Sequence, residues 1–329
     1  MVTRTALGQG GPEVSAVGLG CMGMSDVYGP ADEAESEATI RAALDAGITL
    51  LDTGDFYGMG HNEMLLSRAL GGDRDRAFIQ VKFGARRGPD GTFLGFSSAP
   101  AETKTALAYT LRRLRTDHVD LYQPARLDPS VPIEETVGGL SELVQAGYVR
   151  HIGLSEVSAA TLRRAHAVHE ISELQIEYSL IARTPEGEIL DTCRELGISV
   201  TAYGVFSRGL LSDSARVGTP EDRRVRFPRF APGNLEANRA SIEPLRSLAA
   251  EHGLTLAQLA LLWVASRGPD IVPLVGARTR VQLAESLAAL ELDVDAAVLE
   301  RAGQLGAEAQ IAGGRYDEHA MHSLDSEQG

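Results

Sequence analysis

Eight times between residues 17 and 290 the chain alternates a short apolar, β-rich run with a longer stretch whose apolar residues recur at helical spacing. Strands are expected at 17–20, 49–52, 78–82, 119–123, 149–155, 173–175, 199–203 and 271–275. Helices are expected at 33–46, 62–70, 100–115, 133–146, 158–168, 188–196, somewhere within 238–265, and at 279–290. Parallel strands each followed by a helix must be covered on both faces, and eight such units closing on themselves make a single-domain (β/α)8 barrel over 1–329. Hydrophobic residues make up 43% and aromatic residues only 5%, a balance suited to helices packed on parallel strands rather than to a β-sandwich.

Three stretches stand outside the repeat. The glycines and Pro12 within 3–14 predict an N-terminal hairpin. Residues 204–237, after the seventh strand, carry Arg208, Arg216, Arg223, Arg224, Arg226 and Arg229 between prolines, which reads as a lid or binding loop or else as a solvated basic excursion. The tail 310–329 is polar, contains Gly313 and Gly314, and need not be ordered.

Charge and cysteine usage exclude several function classes. The net charge of −14 argues against a general nucleic-acid or anionic-membrane binder. No run of about 18 apolar residues suggests a membrane span, and no apolar leader is seen at the N-terminus. Cys21 and Cys193 are the only cysteines and have no metal-ligand spacing, so a reducing, cytoplasmic setting is expected. His166 and His169 lack an acidic or cysteine partner, so no metal site is expected, and oligomeric state is not legible.

Chemistry concentrates where the strands end. Asp52 closes the second strand, Tyr57 follows in the loop, and Lys82 closes the third. At the carboxyl end of a barrel these can form an acid catalyst, with Lys82 favouring the phenolate of Tyr57 and Asp52 holding the lysine charged. The same residues are also compatible with a buried Asp–Lys pair that merely braces the mouth. Further strand ends offer Ser155 and Glu156, then Gln175, then Tyr203. Their hydroxyl and amide groups suit a carboxamide, and the tyrosine offers a face for a ring. Arg278 and Thr279 open the last helix and make a phosphate site. Residues 18–23 match G-x-G-x-x-G, but a loop follows rather than a helix. They read as a tight turn that still permits backbone approach to a ligand. His61 lies in the Tyr57 loop and either approaches the pocket or caps the next helix, and His118 and His151 flank strands at the opposite end.

The segments GLGCMGMSDVYG, LDTGDFYG, VKFG, DLYQPARLDPSVPIEETVG, LVQAGYVRHIGLSE, LQIEYSL, AYGVFSRGLL and PLVGARTRVQLAESL, in this order, resemble the aldo-keto reductase superfamily. Its bacterial members that reduce aldehydes and ketones with NADPH are the most similar. The resemblance implies hydride transfer between a nicotinamide cofactor, NADPH/NADP+ with NADH as the alternative, and an aldehyde, ketone or sugar carbonyl. It makes Asp52, Tyr57 and Lys82 catalytic, with Tyr57 the proton donor. Ser155 and Gln175 would hold the carboxamide and Tyr203 would stack. Gly276, Arg278, Thr279, Gln282 and Glu285 would hold the adenosine 2′-phosphate and adenine, with further cofactor contacts at Gly20, Cys21, Met22, Gly204, Arg208 and Ser286. The substrate pocket would involve Tyr28, Tyr57, Phe83, Ala125 and Arg126.

The departures are specific. Ala125 stands where the family usually has the carbonyl-orienting histidine, a loss on the order of 10²–10³ in rate if it resembles that of one oxyanion donor. Arg126, a water or the substrate is left to substitute. Gly204-Val205-Phe206 replaces the usual Ser-Pro-Leu, and Ser286 a usual asparagine. A rival reading is a nicotinamide-nucleotide sensor or regulatory subunit with residual turnover, since channel-associated members of the superfamily also lack the histidine.

Overall fold

The computed structural model describes residues 2–25, 27–212 and 222–328. It opens with the expected hairpin, β1 (Arg4–Ala6) paired antiparallel with β2 (Glu13–Ser15). Leu7 and Val14 pack against Leu50, Phe78, Leu121, Val272 and Leu274, so the hairpin plugs the amino end of the barrel.

Eight parallel strands close the barrel: β3 (Gly18–Gly20), β4 (Leu50–Gly54), β5 (Phe78–Phe83), β8 (Val119–Pro124), β9 (Val149–Ser155), β10 (Glu173–Glu177), β11 (Ser199–Tyr203) and β12 (Ile271–Gly276), which returns to β3. Between β5 and β8 a second hairpin appears that the sequence reading lacked, β6 (Ala85–Arg87) with β7 (Phe93–Phe96). The surrounding helices are α1 (Glu33–Asp45), α2 (His61–Leu70), α3 (Pro100–Leu114), α4 (Ile133–Gln145), α5 (Ala159–Val168), α6 (Glu188–Leu196) and α10 (Arg280–Ala289). The region 238–265 divides into three helices, α7 (Asn234–Ser241), α8 (Glu243–Glu251) and α9 (Leu256–Ala265). The breaks have local causes. Pro244 sits in the first turn of α8, and Thr255 opens α9 with a capping box to Gln258.

A further helix, α11 (Ala296–Glu308), was not anticipated. Gly303 and Gly306 lower its intrinsic helicity, yet they are what lets it dock, because a Cβ at Gly306 would meet the Leu180 carbonyl oxygen. The chain then crosses the barrel mouth, with a short α12 (Glu318–Met321) on the way. The polarity of this segment serves buried contacts, since Arg315 is only 4% exposed.

Strand parity stacks the barrel interior in layers. Apolar Leu50, Phe78, Leu121, Val272 and Leu274 form the floor. Above it Gln80, Glu173 and Thr201 are hydrogen-bonded, and the Gln123 amide, with its nitrogen turned inward, donates to Glu173 Oε2 over 3.1 Å. The top layer is Asp52, Lys82 and Gln175. Among the described residues no helix is long and apolar enough to cross a membrane alone.

Candidate active site

Asp52 and Lys82 leave adjacent strands in a register that pairs Asp52 with Gln80 and Gly54 with Lys82. Lys82 Nζ donates to Asp52 Oδ1 at 2.5 Å, and Gln175 Nε2 donates to the same oxygen at 2.8 Å. Beyond β4 the Asp55 amide bonds the Lys82 carbonyl at 2.9 Å, which turns the chain so that Tyr57 folds back over the lysine. Lys82 Nζ lies 5.1 Å from the centre of its ring. The turn needs left-handed backbone at Gly58, Met59 and Gly60, where φ is 57°, 53° and 94°. At Gly60 a side chain would also strike Arg113.

The expected lowering of the Tyr57 pKa does not occur. Burial holds the phenol well above its ordinary range, the Asp52 charge adds to this, and Arg126 opposes it. Lys82, paired with Asp52 and 5.1 Å from the ring centre, does not outweigh the burial. Tyr57 therefore keeps its phenolic proton.

Beside it, Ala125 is buried and its amide donates to the Phe83 carbonyl at 2.8 Å. Arg126 Nη1 donates to the Ala125 carbonyl at 2.5 Å and reaches Ser155 Oγ at 3.4 Å, while Nη2 reaches Tyr316 Oη at 3.3 Å. Tyr203 Oη donates to Glu156 Oε1 at 2.6 Å and lies 3.2 Å from Tyr316 Oη. Phe83, expected in the pocket, is not there. Parity along β5 turns it outward, against the helices, where its ring stacks on Tyr122 with centres 4.3 Å apart.

At the other end of the mouth, Gly20 pairs in register with both Asp52 and Gly276. A Cβ at Gly276 would meet nothing within 4 Å, so a ligand has room above it. The Arg278 amide is bonded by Gln282 Oε1 at 2.9 Å, and Arg278 Nη1 donates to the Tyr28 carbonyl at 3.2 Å. Thr279 caps α10 through the Gln282 amide. Glu285 accepts from Thr255 at 2.9 Å, tying α10 to α9, and the Ser286 hydroxyl donates back to the Gln282 carbonyl. The side chain of Cys21 is wholly buried, whereas Met22 begins a short 3-10 turn at the mouth.

Three arginines of the loop after β11, Arg208, Arg224 and Arg229, turn inward, while Arg223 and Arg226 stay exposed. Arg208 lies 3.5 Å from Glu177 and stacks over Phe227 and Tyr316, Arg224 grips Asp222 and covers Tyr28, and Arg229 approaches Glu177 at 3.6 Å. Gly204 is left-handed, with Glu177 against it. Arg216 and Pro220 fall outside the described residues. His61 bonds Ser25 and Glu33 at the start of α2, a bracing position. Asn62, overlooked in the sequence, is fully buried and donates to the Cys21 carbonyl and Ser25, fixing the turn beside Asp52. Among the described residues no cluster of His, Cys, Asp or Glu is placed to hold a metal ion. A groove of about 1050 Å³ lies away from the strand ends, against α3 and Tyr148.

Fold and site together define an α/β-barrel protein whose polar groups converge at the carboxyl ends of its strands, where barrel enzymes do their chemistry. Residues 16–306 match the model of the Aldo/keto reductase family. The chain is 40% identical over 316 residues to a probable aldo-keto reductase 1 of Glycine max, covering 94% of this chain and 90% of the relative. Among solved structures, a glycerol dehydrogenase from Gluconobacter oxydans superposes with a TM-score of 0.82 at 28% identity, covering 93% of this chain and 95% of that one. An aldo/keto reductase from Klebsiella pneumoniae, in complex with NADP and acetate, superposes with a TM-score of 0.73 at 25% identity, covering 96% and 99%. The chain belongs to the aldo/keto reductase family and is an oxidoreductase by that membership.

Proposed function

We propose that this protein is an NADPH-dependent reductase of an aldehyde, ketone or sugar carbonyl, able to run in reverse as an alcohol dehydrogenase, with Tyr57 as proton donor and acceptor. The observation that carries this reading is the Asp52–Lys82 ion pair beneath the Tyr57 ring, with Gln175 on the same carboxylate. A pair that only braced the mouth would not need a buried phenol folded over it.

The residues present fit a nicotinamide dinucleotide. Ser155 and Gln175 have the donors and acceptors of a carboxamide site, the half-buried Tyr203 offers a ring face, and Arg278 with the start of α10 suits a 2′-phosphate. Open space above Gly276 suits the dinucleotide's extended run. When bound, NADPH supplies the hydride. Tyr57, kept neutral by burial, donates its proton to the substrate oxygen as negative charge develops there. Asp52 fixes the Lys82 ammonium below the phenol, so that the negative charge left on Tyr57 is stabilised after transfer. Arg126, whose charge already acts on Tyr57, takes the polarising role that Ala125 cannot. The buried free thiols Cys21 and Cys193 suit a reducing cytoplasm.

The test is steady-state reduction of a panel of aldehydes, ketones and aldoses with NADPH and with NADH. Turnover favouring NADPH is expected for at least one carbonyl, and no turnover with any of them would refute the reading.

A further inference from the structure

The segment 309–328 does not merely rest on the barrel. Its contacts converge on the loop between β9 and α5. Arg315 Nη1 and Nη2 donate to the two Glu156 carboxylate oxygens at 3.1 and 3.0 Å, Ser326 Oγ donates to Glu156 Oε2 at 2.6 Å, and the Ser326 amide bonds the Glu156 carbonyl at 3.2 Å. Two residues on, the Ser158 amide bonds Asp325 Oδ2 at 2.7 Å. Arg315 also bridges Glu177 and Glu327, and Glu327 accepts from Thr184.

Glu156 is an unusual receiver for these latches. It is completely buried, and its backbone is left-handed, with φ of 54°, at a residue that is not glycine. Such a conformation is costly and persists only where surrounding contacts over-determine it. Three neighbours feel its placement. Ser155 precedes it in the chain, its amide is bonded to the Gln175 carbonyl at 3.0 Å, and its carboxylate accepts from Tyr203 Oη at 2.6 Å.

We propose that Arg315 and Ser326 are positioning residues for the nicotinamide end of the cofactor site, acting through Glu156 on Ser155, Gln175 and Tyr203. The proposal rests on the reading of those three residues as the nicotinamide contacts. It assigns segment 309–328 to the binding site although none of its residues need touch the cofactor. Arg315 neutralises, through both oxygens, the buried carboxylate that holds the Tyr203 hydroxyl, and Ser326 shares Oε2 with Arg315 Nη2.

The experiment compares binding of NADPH with binding of adenosine 2′,5′-bisphosphate, which carries the adenine end and no nicotinamide, to the native protein, Arg315→Met and Ser326→Ala. NADPH affinity should fall roughly tenfold in Arg315→Met and by about threefold in Ser326→Ala, magnitudes typical of a charged and a neutral hydrogen bond. Affinity for the bisphosphate should stay within about twofold of native by the same reasoning. Should Arg315→Met not fold, Ser326→Ala, which deletes one hydroxyl, carries the test. Unchanged NADPH affinity in folded variants, or parallel loss of both ligands, overturns the proposal while native NADPH binding leaves the functional reading standing. Failure of the native protein to bind NADPH overturns both.

Discussion

Lys82 Nζ lies 2.5 Å from Asp52 Oδ1, and both side chains are almost wholly removed from solvent. Breaking such a pair from one side strands a buried charge, at a cost of about 3–5 kcal/mol. Lys82→Met should therefore lower the melting temperature and reduce kcat by roughly 10²-fold or more as Tyr57 loses its charged neighbour. The double variant Asp52→Asn/Lys82→Met should regain much of the stability and none of the rate. Thermal melts and kinetics on both variants check this, and recovery of activity in the double variant would contradict it.

The Arg126 charge opposes the effect of burial on Tyr57, and Arg126 is the residue proposed to polarise the carbonyl. Arg126→Met should lower kcat by about 10–10²-fold, while Arg126→Lys, which keeps charge but loses the planar fork, should fall between. Equal rates for native and Arg126→Met would assign the polarising role elsewhere.

Within the barrel, burial pushes the Glu173 carboxyl up to about 8, with the Thr201 hydrogen bond opposing the rise and the Asp52 charge adding to it. Its folded pKa lies above its unfolded value, so its contribution is fully present below about pH 4.3 and is lost as pH rises through about 8. Relative to native, Glu173→Gln should gain melting temperature progressively from pH 5 to pH 8.5. Parallel pH profiles for the two proteins would show that Glu173 does not titrate in this window.

Arg278 stands next to the N-terminal cap of α10 with its guanidinium against Tyr28. Arg278→Met should raise KM for NADPH by about tenfold and leave KM for NADH nearly unchanged, the signature of a 2′-phosphate contact. An equal effect on both cofactors would instead assign Arg278 to the fold of the mouth.

Much of the barrel was legible because its signals are local. Strands 149–155 and 199–203 and helix 188–196 fall where apolar runs and glycine stops put them. What was missed depends on register or on distant partners. The expectation of Phe83 in the pocket comes with the resemblance, whereas strand parity turns it to the other face. The sign of the Tyr57 shift depends on how burial balances charge, a balance no spacing encodes. Arg315 and Tyr316 join the site from more than a hundred residues beyond their partners Glu156 and Tyr203, with no motif to announce it. The helix α11 hid behind its glycines, which propensity counts against it and packing requires.

The most direct test of the account is stopped-flow oxidation of bound NADPH, followed at its reduced-nicotinamide absorbance, by native protein and Tyr57→Phe against the best carbonyl of the panel. The account predicts a native rate at least about 10²-fold above the variant, with NADPH bound equally well by both, because only the proton donor has been removed. Equal rates in the two proteins would contradict it and remove Tyr57 from the chemistry.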